Sequence, residues 1–399
     1  MTKSVCVVGL GYIGLPTASF LGTKGYTVRG VDISQKVVDT INQARIHIVE
    51  PDLDILVKSA VQSGQLTAAV EPAEADVFII AVPTPLKDGN MPDLSHVESA
   101  TRSIAPFVRP GNLVILESTS PVGTTDYVVV PILEKFGLKV GAEIHVAHCP
   151  ERVLPGRILL ELVDNDRIVG GIDAASSDVA AAFYEDFVRG TVYRTNSMTA
   201  EMAKLAENTF RDVNIALANE LSIICDRDAI DPWEMIQLAN RHPRVNILQP
   251  GPGVGGHCIA VDPWFIAARA PDHARLIRSA REVNDGKPEW VVEKVRRSAS
   301  RFRNPVIGCL GLAFKADVDD LRGSPALQIV QRLQEESIGE LLICEPNIQS
   351  HPEFDLLPHD RAIAEADIVL LLVDHREFRD LASVDLKDKV VIDTRGVIR

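Results

Sequence analysis

Ser4-Val5-Cys6-Val7-Val8-Gly9-Leu10-Gly11-Tyr12-Ile13-Gly14 is the stretch on which the fold turns. A short apolar run reads as a buried strand, and the glycine-rich turn after it opens a helix. Gly9 permits the tight turn, Gly11 lets a pyrophosphate approach the backbone, and Gly14 lets helix and strand pack closely. The helix start offers unpaired N–H groups and partial positive charge to phosphates. Asp32 stands at the end of the next apolar run, Tyr26–Val31, where a carboxylate accepts hydrogen bonds from ribose hydroxyls. Its charge repels a 2′-phosphate, so NAD is expected rather than NADP. Tyr12 and Ile13 lie inside the same turn.

Working outward, further apolar runs occur at Ala75–Val82, Asn112–Glu117 and Glu143–Ala147, separated by helical stretches. That alternation predicts a parallel sheet covered on both faces. Two loops follow these runs, at Val82-Pro83-Thr84-Pro85 and Ser118-Thr119-Ser120-Pro121-Val122-Gly123-Thr124. They belong at the carboxyl edge of the sheet, where such folds bind ligands. The prolines either stiffen the loops or serve the site directly. The Thr84 and Thr119 hydroxyls are the better candidates for contacts.

From about Thr199 to Asp226 the chain has no Pro or Gly, and Met202, Leu205, Ala206, Phe210, Val213, Leu217 and Leu221 recur near helical spacing. One long helix is expected, suited to pairing with a second copy. Lys204, Asn208 and Arg211 form a polar stripe on it. The stripe is either a solvated face or a site for an oxyanion and a phosphorylated sugar. More helix is expected at Trp233–Ala239 and from Arg275 to about Arg301. The last hundred or so residues return to alternation, with strands at Val306–Leu312, Leu341–Cys344, Ile368–Val373 and Val390–Asp393. The run 75–82 has an echo in 366–373. The expected organisation is an N-terminal Rossmann domain over 1–195, a central helical dimerisation domain over 196–300 and a C-terminal Rossmann-like domain over 301–399. A cleft between the end domains would hold two ligands.

The chain has 399 residues and a net charge of −14. The acidic balance argues against nucleic acid as a partner. There is no apolar run of membrane-spanning length, and Met1-Thr2-Lys3 leads straight into a strand. A cytoplasmic protein is expected. Six cysteines without a Cys-x-x-Cys pair suggest neither a disulfide framework nor a metal site. Cys6, Cys309 and Cys344 read as core.

Cys258 differs. It follows Gly251-Pro252-Gly253-Val254-Gly255-Gly256-His257, where four glycines in six residues suit a backbone nest for phosphate or an oxyanion. A helix start is expected at Cys258, where a thiolate is stabilised, with Asp262 four residues on. The alternative is a flexible loop before a core cysteine. His148-Cys149-Pro150-Glu151-Arg152 brings Glu151 to the carboxyl edge of the sheet, as a surface residue or a general base.

Taken together, these residues resemble the UDP-glucose/GDP-mannose 6-dehydrogenase family over essentially the whole chain. The resemblance is carried by 243–265, which includes the glycine segment and Cys258-Ile259-Ala260-Val261-Asp262, and by Glu207-Asn208-Thr209-Phe210-Arg211. It implies an NAD-dependent four-electron oxidation at C6 of a nucleotide-sugar. Cys258 would be the nucleophile. Lys204, Asn208 and Asp262 would handle the oxyanion, water and protons, with Glu151 as base and Thr119 positioning the hydrolytic water. Substrate contacts would come from Arg152, Val153, Arg211, Asn246, Gly253, Gly255, His257, Phe314 and Lys315. Arg244 would reach the substrate across a homodimer interface. Pro83, Thr84 and Arg322 would lie near NAD. Enzymes of the family acting on UDP-glucose carry Cys-Phe-Pro-Lys-Asp; Val261 in place of that lysine favours an N-acetyl-hexosamine, and the resemblance of 243–265 alone implies UDP-N-acetyl-D-mannosamine among these. UDP-N-acetylglucosamine, UDP-N-acetylgalactosamine and UDP-glucose are the alternatives. A one-step hydroxyacid dehydrogenase needs neither the thiol nor the last domain, and a silent nucleotide-sugar sensor needs no Cys258.

Overall fold

The computed structural model describes residues 3–154, 156–383 and 386–398. Met1 and Thr2, read as leading into the first strand, lie outside them. The chain divides into two compact units, one through Ala206 and one from Glu207.

The main sheet of the first unit has eight strands, β1 (Ser4–Val8), β2 (Thr27–Val31), β3 (Leu66–Ala69), β4 (Val77–Ile80), β5 (Leu113–Leu116), β6 (His145–His148), β7 (Arg167–Gly171) and β8 (Val192–Asn196), and a separate antiparallel pair, Leu86–Lys87 with Met91–Pro92, follows β4. Their order across the sheet is β8-β7-β6-β5-β4-β1-β2-β3. β1 to β6 run parallel, whereas β7 is antiparallel to β6 and β8 follows β7. Alternate residues of β1 enter two separate cores: Val5 and Val7 pack on one face, Cys6 and Val8 on the other. A sheet covered on both faces needs apolar side chains at every position, which is why these strands read as continuous runs.

The second unit has four parallel strands, β9 (Val306–Leu310), β10 (Glu340–Cys344), β11 (Ile368–Leu371) and β12 (Val390–Asp393), ordered β10-β9-β11-β12. The sequence echo has a structural counterpart. β4 pairs with β1, and β11 pairs with β9. Gly9 follows β1 with φ of 93° and Gly311 follows β9 with φ of 94°. A Cβ on Gly9 would strike the Ala81 carbonyl oxygen at 2.5 Å, and one on Gly311 would strike Val373 Cβ at 2.5 Å.

The long helix spans Ser197–Arg227, 31 residues, so the border between the units falls inside it. Two further helices of the second unit are Pro232–Ala239 and Arg275–Ala299. Among the described residues no helix is long and apolar enough to cross a membrane.

Candidate functional site

In the first unit the glycine turn has the geometry that a dinucleotide requires. A Cβ on Gly14 would lie 1.8 Å from the Gly9 carbonyl oxygen, so only glycine allows the helix Gly14–Thr23 to start so close to β1. A Cβ on Gly11 would meet nothing within 4 Å, so that face of the turn is open to a phosphate. Asp32 follows β2 and ties the turn down: the Leu10 amide donates to Oδ2 at 3.2 Å and the Ser34 amide to Oδ1 at 2.9 Å. Each oxygen keeps acceptor capacity for a ribose hydroxyl.

The second unit repeats this device with a different outcome. Glu345 follows β10, and its Oε2 accepts from the Leu312 and Ala313 amides at 2.7 and 3.0 Å and lies 3.0 Å from His375 Nε2. Its Oε1 takes the Asn347 amide at 3.0 Å, and the side chain is buried. Asp32 is left partly accessible for a ligand, whereas Glu345 is consumed by the fold.

At the carboxyl edge of the first sheet, Thr84 Oγ1 donates to the Thr119 carbonyl at 2.6 Å, joining the two loops noted in the sequence. Pro83 and Tyr12 are exposed, and Ile13 is half-buried. Glu201, buried on the long helix, accepts from the Gly123 amide, the Thr125 amide at 2.8 Å and the Thr125 hydroxyl at 2.7 Å. Three residues on, Lys204 is half-buried, so one carboxylate holds both the Thr119 loop and the turn of helix that presents the lysine. His148 is fully buried; burial first, then the Lys204 charge, pushes its imidazole down to about 3, so it is neutral.

Glu151 is no surface residue. It is buried, with Oε1 accepting from the Arg152 and Val153 amides at 2.6 and 3.1 Å and Oε2 lying 2.9 Å from Arg167 Nη1. Arg152 turns its guanidinium to the Asp166 carbonyl at 3.1 Å. Buried beside them are Tyr184, whose hydroxyl donates to Glu117 at 2.7 Å, and Cys149. Sequence reasoning missed Arg167, Glu117 and Tyr184.

In the second unit, Asn208 is fully buried: its amide nitrogen donates to Asp262 and its carbonyl oxygen accepts from Arg211. Asp262 is buried and begins the helix Asp262–Arg269. Cys258 therefore precedes the helix instead of starting it, contrary to expectation. Its carbonyl takes the Val261 and Asp262 amides at 3.0 and 2.9 Å, a turn that keeps the thiol exposed while Asp262 points inward. The other five cysteines are buried. The polar stripe divides accordingly into half-buried Lys204, buried Asn208 and exposed Arg211.

The glycines before Cys258 serve close packing. A Cβ on Gly255 would sit 2.5 Å from the Gly323 carbonyl oxygen, and one on Gly256 would sit 2.9 Å from the Phe314 ring. Gly253 and Gly256 have φ of 148° and 82°. His257 is exposed, 3.7 Å from Asp320, which also holds Arg322 at 2.7 Å. Partial burial, and then the Arg322 charge, push His257 down. Gly323 has φ of 60°, the left-handed region that favours glycine. The segment is anchored from the long helix: the Gly251 amide donates to Asn219, Asn219 to Asn284, and Asn284 to Asp212, each at 2.7–2.9 Å. Arg281 completes this buried network on Asp212 at 2.6 Å. None of these partners was legible as a site residue, because each acts through another. Asn246 gives its carbonyl to Asn214 at 3.0 Å, Arg244 is exposed beside His242, and Lys315 is exposed.

Comparison with known proteins gives concordant results. The UDP-glucose/GDP-mannose dehydrogenase family matches in three parts: its NAD binding domain over 3–188, its central domain over 198–286 and its UDP binding domain over 308–399. An NDP-N-acetyl-D-galactosaminuronic acid dehydrogenase of Ralstonia nicotianae is 57% identical over 99% of this chain and 96% of its own. A UDP-N-acetyl-D-mannosamine dehydrogenase of Campylobacter jejuni is 54% identical over 98% of each. Among solved structures, the UDP-N-acetyl-mannosamine dehydrogenase Cap5O from S. aureus superposes with a TM-score of 0.91 at 44% identity, covering 100% of this chain and 96% of that one.

Proposed function

The chain belongs to the UDP-glucose/GDP-mannose dehydrogenase family as an NAD-dependent UDP-sugar dehydrogenase, and within it we propose that the substrate is UDP-N-acetyl-D-mannosamine, oxidised at C6 to the carboxylate through a covalent adduct on Cys258. The observation that carries the covalent step is the exposed Cys258 thiol four residues before a buried Asp262–Asn208 pair.

The Gly9–Gly14 turn and Asp32 would hold NAD, which would accept one hydride in each of two successive oxidations, a fresh NAD replacing the first NADH. The protein must supply the rest. In the first oxidation the C6 hydroxyl loses its proton to a base and C6 gives up a hydride, leaving an aldehyde. An aldehyde carries no readily transferable hydride until a nucleophile adds, so the Cys258 sulfur bonds to C6 and the carbonyl oxygen takes a proton. Loss of hydride from this thiohemiacetal leaves a thioester. Water then adds to the thioester carbon, the C–S bond breaks, and the carboxylate leaves with the thiol restored. Lys204 and the Asn208 amide are the donors for charge developing on oxygen. Glu151 and Asp262 are the carboxylates that hold the protons, and Thr119 orients the water. Such a thiol must stay reduced, so we take the cytoplasm as its setting.

We also take the working form to be a homodimer. Phe210, Leu217 and Ile224 recur every seventh residue along the long helix and are 62%, 48% and 44% exposed, an apolar seam that a second copy would cover.

A second sugar has support of its own. The relative at 57% identity carries a name referring to N-acetyl-galactosaminuronic acid. A panel of UDP-hexoses and UDP-N-acetylhexosamines with NAD, counting NADH per sugar consumed, tests both readings. Two NADH per UDP-N-acetyl-D-mannosamine is expected. One NADH, or a higher kcat/KM on another sugar, overturns the proposal.

A further inference from the structure

Beneath Glu151 the first unit buries two carboxyls with a single guanidinium. Glu117 and Glu151 are 2% and 7% exposed, and Arg167 is 2% exposed. Arg167 is committed to Glu151 at 2.9 Å and lies over the Tyr184 ring at 5.1 Å from its centroid. Among the described residues Glu117 receives only the Tyr184 hydroxyl, on Oε1 at 2.7 Å, and its Oε2 has no hydrogen-bond partner. The remaining titratable group facing it is Cys149, whose thiol burial pushes up to about 12, so it contributes no charge. Burying two carboxylates against one guanidinium leaves an uncompensated charge, which a protein avoids by keeping one proton.

We propose that Glu117 is a positioning residue of the reaction: it carries the one exchangeable proton of this cluster, so that Glu151 remains the ionised partner of Arg167. This rests on the reading of Glu151 as a proton-handling group. The two carboxyls do not have equal claims to the proton. Glu151 has two amide donors and an ion pair, all of which favour its charged form, whereas Glu117 has one neutral donor. Burial first, and then the Glu151 charge, push Glu117 up to about 7. With Glu117 protonated the cluster is neutral. When that proton leaves to solvent, two negative charges compete for Arg167. Glu117 thus decides whether Arg167 serves Glu151 alone or is shared, without touching substrate.

The test uses the full enzyme and the variants E117Q and E151Q. Glutamine keeps the acceptor for Tyr184 and mimics the neutral acid, but cannot titrate. The kcat–pH profile of the wild type is expected to show an inflection near pH 7 that E117Q lacks. Infrared pH-difference spectra of the resting protein are expected to show a protonated-carboxyl band that titrates over the same range and is missing from E117Q. A kcat scaled by the same factor at every pH in E117Q, as a structural role predicts, overturns the proposal, as does the absence of that band from the wild type. If E151Q turns over normally, the reading of Glu151 has failed and the infrared band alone decides whether Glu117 holds the proton. If E151Q is inactive while E117Q keeps the wild-type inflection, only the present inference has failed.

Discussion

Asn208 donates its side-chain amide to the Asp262 carboxylate, and both residues are buried. The carbonyl end of the same amide accepts from Arg211, which fixes which way the amide faces. One neutral side chain thereby joins a cation to a carboxylate in a place with little room for water.

Asn208→Asp should show how much this matters. The substitution is nearly isosteric, but it sets a second carboxylate against Asp262 where a donor stood. Losing a donor to a buried charged group costs about 2–4 kcal/mol, and like charges force one carboxyl to hold a proton. We expect kcat to fall by at least about a hundredfold at pH 8 and to recover partly as the pH drops towards 6. Steady-state NADH production across that range checks it.

Cys258→Ser should separate binding from covalent chemistry. The side chain is exposed and serine differs from it by one atom, so nucleotide-sugar affinity by calorimetry should stay close to that of the wild type. Acid formation should drop by about a thousandfold or more, the scale of removing a nucleophile. Normal accumulation of the uronate in this variant would remove the thioester from the mechanism.

The two glycines of the first turn should fail differently. Gly14→Ala puts a methyl 1.8 Å from the Gly9 carbonyl oxygen, so overpacking of about 1–3 kcal/mol or more should lower the melting temperature. Gly11→Ala meets no protein atom within 4 Å and should melt within about 0.5 kcal/mol of wild type. NAD affinity in Gly11→Ala should nevertheless weaken at least about tenfold, because the methyl occupies the space of the pyrophosphate. Thermal melts paired with NAD titrations distinguish the two.

Stability should also report the Glu117 proton. A carboxyl raised from 4.5 to about 7 in the fold contributes stability that is full below its unfolded value and is lost as the pH rises through its folded one. The wild type should therefore lose on the order of 3 kcal/mol between about pH 4.5 and 7 that E117Q does not lose. Urea denaturation of both proteins at pH 5 and pH 8 measures the difference; parallel curves would contradict it.

Phe210→Asp with Leu217→Asp should leave the monomer fold intact and abolish association, since both side chains are already exposed in one chain. Analytical ultracentrifugation at micromolar concentration should show half the wild-type mass. An unchanged mass would place any dimer contact elsewhere.

What the amino-acid order determined alone is local in its physics. β1 and β12 have the bounds that their apolar runs predict, and the helix read over Thr199–Asp226 extends only to Ser197–Arg227. Continuous hydrophobicity and unbroken helical periodicity are properties of neighbours in the chain, as is the glycine turn with Asp32. The edge strands β3 and β8 escaped notice for the converse reason. β3 is Leu-Thr-Ala-Ala, and Tyr193, Arg194 and Asn196 of β8 are exposed, so neither shows an apolar run.

Tertiary structure alone decided which groups surround the reacting residues. Arg167 opens β7, and it could not open at the carboxyl end of β6 if β7 ran parallel to β6. Because β7 runs against β6, its first residue lies where β6 ends, 2.9 Å from Glu151. The same applies to Glu117 and Tyr184, which are 67 positions apart and joined by one hydrogen bond. Strand direction and long-range pairing leave no local pattern to read, yet they decide whether Glu151 is a surface carboxylate or one member of a buried cluster.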